Sequence, residues 1–307
     1  MKEKSVLAVC LSPTFQNTLL FDSFCENEVN RAVGQMEITA SGKGLNVIRI
    51  LGQLGRRSSC LVQLGGPREE EFLRLCAQSA LDVRHVSCSA PIRTCTTVVN
   101  RAKGTSTELV ENARPVDGDT GEKVRQAFEN LIGDYDALVI SGTKAPGFGP
   151  ELFPGMVSSA VQKGILTVLD IKGEELKACL RFRPSIIKPN LSEFMATFFD
   201  GQIVMENEDS AALRPMVEKK AARLFAEFGV RTIVSRGSSD TWAYDGCRLI
   251  SVPNPPLTAP VVNTIGCGDT LTAALTHALL NGESFADSIA FGMKCAAQRA
   301  THLSHGL

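Results

Sequence analysis

The chain has 307 residues, of which 44% are hydrophobic, and its formal net charge at pH 7 is −1. This length can bury a sizeable core, as one large α/β domain or as two domains. The balanced, scattered charge does not indicate nucleic acid or an anionic membrane as a partner. No segment approaches the ~20 consecutive apolar residues that a membrane helix needs. The ten cysteines form no C-x-x-C pair, which is typical of free thiols in a reducing compartment.

Predicted strands and helices alternate along most of the chain. Strands are predicted at residues 6–11, 59–64, 137–141, 165–170 and 232–235, and helices at 69–79, 121–131, 150–163, 213–228 and 270–281. The alternation predicts a mainly parallel sheet covered by helices on both faces. Ligands of such sheets bind beyond the carboxyl ends of the strands. We therefore expect the turns at 141–147, 188–193, 235–239 and 264–269 to converge on one rim.

The first predicted strand is followed by no small-residue cleavage site. This favours a strand over a secretory signal, and we expect a cytoplasmic protein.

An early helix begins with a glycine-rich segment that carries a cation. Residues 41–47 read Ser-Gly-Lys-Gly-Leu-Asn-Val, and apolar residues at 47, 48, 50, 51 and 54 predict a helix that ends at Gly55. The segment is not a Walker P-loop, because Lys43 is followed by Gly44 and no glycine lies five residues before Gly42. On its own, this segment is weak evidence for any function.

Two stretches interrupt the alternation of strands and helices. Residues 18–39 and 93–109 carry Thr, Val and Phe with polar residues interspersed, which favours exposed strands over helices. By themselves they fit a surface β-meander without a function.

A second glycine-rich segment lies at residues 262–270, Val-Asn-Thr-Ile-Gly-Cys-Gly-Asp-Thr, immediately before a predicted helix. Its glycines lie where backbone N–H groups lack intrahelical partners, and such a terminus suits a phosphate or a developing oxyanion. Asp269 is placed to act there as a general base. The same residues also fit an ordinary helix start, in which the glycines form the turn and Asp269 caps the helix.

Together the two segments resemble the G-G-K-G-x-N-V and T-x-G-x-G-D signatures of the PfkB (ribokinase-like) carbohydrate kinase family. Five further segments resemble its phosphosugar branch, which includes 1-phosphofructokinases and tagatose-6-phosphate kinases. They are V-N-R at 29–31, T-E-L at 107–109, S-G-T-K-A-P-G at 141–147, K-P-N-L-S-E at 188–193 and V-S-R-G at 234–237.

The resemblance extends through nearly the whole chain. It implies one ribokinase-like α/β domain over residues 1–307, with three layers and a mainly parallel central sheet flanked by helices. It also implies a small β-sheet lid, formed by segments at about 14–39 and 90–111, which pairs with the lid of a second subunit in a homodimer.

The resemblance implies a site for phosphoryl transfer. Asp269 would be the general base, and the amides of Gly266, Cys267 and Gly268 would form an anion hole. Cys267 stands where the family usually has alanine. Its backbone N–H is unchanged, so we interpret the thiol as filling space.

For the sugar, the resemblance implies contacts with Gly42, Lys43, Gly44 and Asn46. Arg93, from the lid, is the candidate for the substrate phosphate, because a guanidinium matches phosphate oxygens bidentately. Ser141 would add a hydroxyl donor.

For the nucleotide, the implied contacts are Lys188, Asn190, Glu193, Ser235, Gly237 and Thr264. Asn190 and Glu193, at i and i+3, would organise Mg²⁺ and its waters. From the residues alone, Asn190 and Glu193 also fit a helix start with a surface acid, and Gly237 fits an ordinary turn.

One departure from the family pattern bears on the acceptor. The family usually has N-P-x-x-D near the N-terminus, whose Asp binds sugar hydroxyls, whereas this chain has Ser12-Pro13-Thr14-Phe15-Gln16. Hydrogen bonds to charged groups contribute about 1.5–3 kcal/mol against ~1 for neutral ones. Either sugar affinity is lower by one or two powers of ten, or the acceptor is a different one. Ser41, in place of the usual first glycine, is a milder departure.

We therefore expect an ATP- and Mg²⁺-dependent kinase of the 1-phosphofructokinase or tagatose-6-phosphate kinase type. The alternatives are a kinase for another small polyol or nucleoside-like acceptor, and a nucleotide- or sugar-binding regulatory protein with little turnover. The presence of Lys43, Asn190, Glu193 and Asp269 argues against the regulatory protein, because a pure binder needs no catalytic base.

Overall fold

The computed structural model describes residues 4–34, 37–199, 211–257 and 259–303. All the predicted site residues lie in these ranges, whereas residues 35–36 of the predicted lid lie outside them. The strands are β1 (Val6–Cys10), β2 (Thr14–Phe21), β3 (Glu37–Ser41), β4 (Ser58–Gly65), β5 (Val83–Cys88), β6 (Arg93–Asn100), β7 (Thr105–Val110), β8 (Ala137–Ser141), β9 (Leu166–Asp170), β10 (Ile186–Ile187), β11 (Arg231–Arg236), β12 (Ser239–Tyr244) and β13 (Leu249–Val252). The α-helices are α1 (Lys43–Gln53), α2 (Glu69–Gln78), α3 (Thr120–Ile132), α4 (Leu152–Gln162), α5 (Gly173–Leu180), α6 (Leu191–Phe198), α7 (Arg214–Phe228), α8 (Cys267–Leu280) and α9 (Phe285–Ala300).

The larger of two sheets has nine strands in the order β13-β12-β11-β10-β9-β8-β1-β4-β5. Neighbours from β11 to β5 are parallel, and β12 and β13 add an antiparallel edge. The carboxyl ends of the parallel strands therefore lie along one rim, as the sequence predicts.

Period-two alternation along the central strands builds a core on each face of this sheet. Leu7 and Val9 of β1 pack into a cluster with residues of α3 to α7, such as Phe128. Val6 and Ala8 of the same strand pack on the opposite face with residues of α1, α2, α8 and α9. The predicted arrangement of a sheet between two layers of helices is confirmed.

The smaller sheet has four strands in the order β3-β2-β6-β7. Residues 22–34, which the sequence assigns to the same β stretch, form turns and irregular structure instead. There the Asn30 side chain accepts from the Cys25 amide and donates to the Cys25 carbonyl. Such bonds from an Asn side chain to the backbone compete with a β ladder.

All ten cysteines are free thiols. Among the described residues, no helix has both the length and the hydropathy to cross a membrane.

Candidate active site

A cleft of about 1010 Å³ lies at the carboxyl-end rim of the large sheet and is closed on one side by the small sheet. The cleft is lined by the ends of β1, β8 and β9, by the turn after β10, and by the first residues of α1 and α8. Of the residues predicted for the site, all except Gly44 line it.

The first glycine-rich segment joins the small sheet to α1. Gly42 is the N-cap of α1 with φ 134°, a conformation that favours glycine. At Gly44 an added Cβ would lie 2.8 Å from the carbonyl oxygen of Val9. Gly44 thus lets α1 pack closely against β1 and does not line the cleft, so the geometry does not support the expected sugar contact. Lys43 lies between these glycines at the start of the helix.

Asp269 lies in the first turn of α8, which begins at Cys267, three residues earlier than the sequence predicts. Its side chain is buried, and its Oδ2 accepts a hydrogen bond of 2.8 Å from Nδ2 of Asn46. This bond joins two helix starts that are 223 residues apart in the chain. Burial raises the pKa of Asp269 to about 6, with Lys43 lowering it and Asp170 raising it. At neutral pH the group is therefore an ionised base of higher basicity than an ordinary aspartate.

The amides before and within the first turn of α8 face the same cleft. The Cys267 amide donates to the carbonyl of Thr264 at 3.2 Å, so it is less available to an anion than the sequence suggests. Within the described ranges, the amides of Gly266 and Gly268 have no acceptor. Burial raises the pKa of the Cys267 thiol to about 11, with Arg299 opposing the rise. The thiol therefore stays protonated at neutral pH.

Asp170, at the end of β9, is a central residue of the cleft that the sequence analysis did not select. Its carboxylate lies 3.3 Å from Nζ of Lys188 and accepts from the hydroxyls of Ser141 (3.1 Å) and Thr272 (3.3 Å). Burial opposes ionisation, but Lys188 and Lys43 hold the pKa of Asp170 below its usual value. Asp170 is in turn the main cause of the raised pKa of Lys43. Lys188 and Ser141 thus reach the cleft as partners of this acid.

Asn190 and Glu193 form a capping box at the start of α6. Oδ1 of Asn190 accepts from the Glu193 amide at 2.7 Å, and Oε2 of Glu193 accepts from the Asn190 amide at 3.1 Å. The helix-start interpretation is therefore right for the local structure. The Glu193 side chain also lines the cleft, with Oε1 3.4 Å from Nζ of Lys172.

Ser235 and Gly237 lie at the end of β11. Ser235 pairs with Asn190 in an isolated bridge, and Gly237 adopts φ 57° in the turn to β12. Gly237 thus both makes the turn and lines the cleft.

On the small sheet, Gln16 is buried, and its Nε2 donates to Oγ1 of Thr97 at 2.9 Å and to the Asn17 carbonyl at 3.2 Å. Arg93 lines the cleft with Nη1 donating to the carbonyl of Glu111 at 2.9 Å. The small sheet therefore contributes an amide and a guanidinium to the lining of the cleft.

Comparison with known protein families agrees with this geometry. The family model for pfkB family carbohydrate kinases matches residues 11–306. The chain is a PfkB family carbohydrate kinase. It is therefore a phosphotransferase that acts on a sugar, which confirms the family and the class of enzyme expected from the sequence.

Solved structures similar to this PfkB kinase include phosphofructokinase-2 from Escherichia coli. Its complex with fructose-6-phosphate is 23% identical, with a TM-score of 0.80 over 98% of this chain and 94% of that chain. Its tetrameric inhibited form is 22% identical, with a TM-score of 0.81 over 98% and 96%. A protein from Thermotoga maritima described as a possible 1-phosphofructokinase is 19% identical, with a TM-score of 0.81 over 99% and 95%. At these identities the likeness shows a shared ribokinase-like fold.

Arg299 is a second residue of this PfkB kinase that the sequence analysis did not select. It is 1% exposed, and its guanidinium donates to the carbonyls of Ile265 (2.9 Å) and His302 (2.8 Å). The buried Asn263 accepts from the Ile265 amide at 3.0 Å and donates to the Leu303 carbonyl at 3.2 Å. These bonds hold the turn before α8 against the segment after α9.

Proposed function

We propose that this kinase transfers the γ-phosphate of ATP to a hydroxyl of a phosphosugar, with Asp269 as the general base. The observation that carries the proposal is the hydrogen bond between Asn46 and Asp269, which unites the two glycine-rich helix starts in one cleft. A buried carboxylate with its pKa raised to about 6 has the basicity that suits proton abstraction near neutral pH.

In the proposed step, the acceptor hydroxyl gives its proton to the Asp269 carboxylate while its oxygen bonds to the γ-phosphorus. The bond from the γ-phosphorus to the β–γ bridging oxygen breaks, and ADP leaves. The amides of Gly266 and Gly268 and the positive end of the α8 dipole meet the charge on the transferring oxygens. Lys43, whose pKa is raised chiefly by Asp170, stays charged beside them.

The donor is expected to lie near Lys188, Ser235, Gly237 and Thr264, which line the cleft between α6 and α8. Mg²⁺ would neutralise charge on the phosphates. Glu193 fits such a cation, because a carboxylate oxygen is a ligand Mg²⁺ prefers and the side chain faces the cleft. Asn190 holds Glu193 through the capping box, with its own Oδ1 engaged by the Glu193 amide.

The acceptor is expected between α1 and the small sheet, which would act as a lid inserted in a single kinase domain. Lys43 and Asn46 face it from α1, Ser141 faces it from the rim, and Arg93 is the candidate for its phosphate. The solved phosphofructokinases that share this fold, one of them holding fructose-6-phosphate, support a phosphosugar as the acceptor.

A homodimer through the lid is also proposed. Strand β7 is an edge strand of the small sheet, and Leu109 and Val110 on it are each 56% exposed. An exposed edge with apolar side chains is a template for pairing with another chain. A second copy of the lid would cover it.

Coupled ADP release with fructose 1-phosphate, fructose 6-phosphate and tagatose 6-phosphate tests the proposed function. We expect saturable turnover with at least one of them that requires Mg²⁺. Gln16 favours a second candidate, a kinase for another polyol or nucleoside-like acceptor, which would show turnover only with an unphosphorylated acceptor. ATP binding without turnover on any acceptor would favour a regulatory binder and contradict the proposal.

A further inference from the structure

Five acidic residues line the cleft in the described part of the chain, and four have side-chain partners. These are Asp170 with Lys188, Glu175 with Lys144 at 2.8 Å, Glu193 with its capping box, and Asp269 with Asn46. The carboxylate of the fifth, Glu108, forms neither a hydrogen bond nor an ion pair with any described residue, although its backbone pairs with β6. The Glu108 side chain is exposed to the solvent of the cleft, so a ligand that enters the cleft can reach its carboxylate without displacing a protein partner.

Glu108 lies on the face of the small sheet that looks into the cleft. It is directly opposite Thr97 in the β6–β7 pair, and residues opposite each other share a face. Oγ1 of Thr97 accepts from Gln16 on the other side. Gln16 and Glu108 therefore flank Thr97, with their strands about 10 Å apart at the usual spacing.

The amide of Gln16 has a fixed orientation, because the Asn17 carbonyl that Nε2 contacts can only accept a hydrogen bond. Nε2 is thus committed to the sheet, and Oε1 is left as an acceptor for the ligand. Gln16 supplies acceptor capacity without charge, so the charged acceptor on this face is Glu108.

The charges around Glu108 indicate what it binds. Partial desolvation raises the pKa of the Glu108 carboxyl above its usual value, and the positive charges of Arg93 and Lys43 oppose that rise by favouring the ionised form. A phosphate would be repelled by Glu108, so the substrate phosphate belongs with the cations. Hydroxyl groups are the donors that a sugar offers, and an ionised carboxylate accepts several at once.

We propose that Glu108 determines acceptor specificity by accepting hydrogen bonds from the hydroxyls of the phosphosugar, supplying the charged acceptor that Gln16 does not. This inference rests on the proposed function, since it names how the same site recognises its acceptor.

The test is steady-state kinetics of Glu108→Gln, with the active phosphosugar of the panel fructose 1-phosphate, fructose 6-phosphate and tagatose 6-phosphate. Replacing a charged acceptor by a neutral one is expected to raise the acceptor KM about tenfold, with the KM for ATP within twofold. The matched control is Asp22→Asn. Asp22 is an exposed acid immediately after β2 of the small sheet, paired with Arg101 at 3.1 Å and not lining the cleft, and its replacement should leave both constants unchanged.

An acceptor KM within twofold of wild type in Glu108→Gln would overturn the inference and leave the proposed function standing. A lower KM would also overturn it, because it would show that Glu108 repels the substrate phosphate. Wild-type protein that turns over none of the three sugars would instead overturn the proposed function, and the inference with it.

Discussion

Replacing Asp269 by asparagine separates two consequences of its buried charge. The side chains have nearly the same size, and an asparagine Oδ1 can still accept the hydrogen bond that Asn46 donates. The cleft should therefore keep its shape while losing the proton acceptor. Without a general base kcat is expected to fall by roughly 10²–10⁴-fold. ATP affinity should stay nearly intact, because no contact with the nucleotide is assigned to this carboxylate.

The same replacement should stabilise the fold at neutral pH. The pKa of Asp269 is raised from 3.8 to about 6, so the ionised carboxylate is less stable in the folded state than in the unfolded chain. Its ionisation therefore lowers the free energy of unfolding. This loss is absent below pH 3.8, grows as pH rises, and is complete above pH 6. At 1.36 kcal/mol per pKa unit, the shift of ~2 units corresponds to about 3 kcal/mol at pH 7. The attraction of Lys43 is already included in that shift. Asparagine removes this loss, so Tm at pH 7 should rise by several degrees.

Coupled ADP release gives kcat, calorimetric titration gives ATP affinity, and thermal unfolding at pH 7 gives the stability change. The matched control is Asp287→Asn, an acid at the same position of the first turn of α9 but exposed to solvent. It should change neither kcat nor, appreciably, Tm. A kcat within threefold of wild type in Asp269→Asn would remove Asp269 from the mechanism. A lower Tm at pH 7 would refute the electrostatic reasoning.

The cleft gives two further predictions and the edge of the lid gives a third. Wild-type kcat/KM should fall tenfold per pH unit below about pH 6, where Asp269 becomes protonated, and a pH–rate profile of Asp269→Asn without this limb is the check. Arg299→Met should lower kcat about 10- to 100-fold, because the turn before α8 loses its anchor. It should also move the acidic limb to higher pH, because the positive charge of Arg299 interacts with Asp269 and favours its ionised form. Arg299→Lys keeps the positive charge. If the acidic limb moved equally in Arg299→Lys and Arg299→Met, the charge of Arg299 would not be the cause of the shift. Leu109→Lys should convert a dimer to monomers in light scattering after gel filtration, and a monomeric wild-type protein would show that the lid does not pair.

The fold could be predicted from the sequence because its signals are local. Apolar strands such as residues 137–141 and helices of 10–15 residues alternate with little ambiguity, and this pattern permits few architectures. Residues 22–34 were assigned wrongly for an equally local reason. Polar residues there satisfy the backbone from side chains, as Asn30 does, which composition alone does not reveal.

The site could be predicted only in part. Glycine-rich helix starts carry a pattern that is visible in the chain, so Lys43 and Asp269 could be selected. Asp170 ends a predicted strand on the predicted rim, and that position was a usable signal. Arg299 offered no such signal, because what distinguishes it is the pair of carbonyls that the folded chain gives it. Glu108 lies in the T-E-L segment that resembles the family, but the sequence does not reveal that its side chain faces the cleft.

Partners also explain why two buried aspartates beside the same lysines differ in chemistry. Asp170 has Lys188 at 3.3 Å and two hydroxyl donors, and its pKa is held below the usual value. Asp269 has one neutral donor, Asn46, and burial raises its pKa. Groups whose surroundings drive their pKa values apart take different roles in catalysis. Asp170 is suited to hold the lysines in place as a permanent anion, and Asp269 is suited to take up and release a proton.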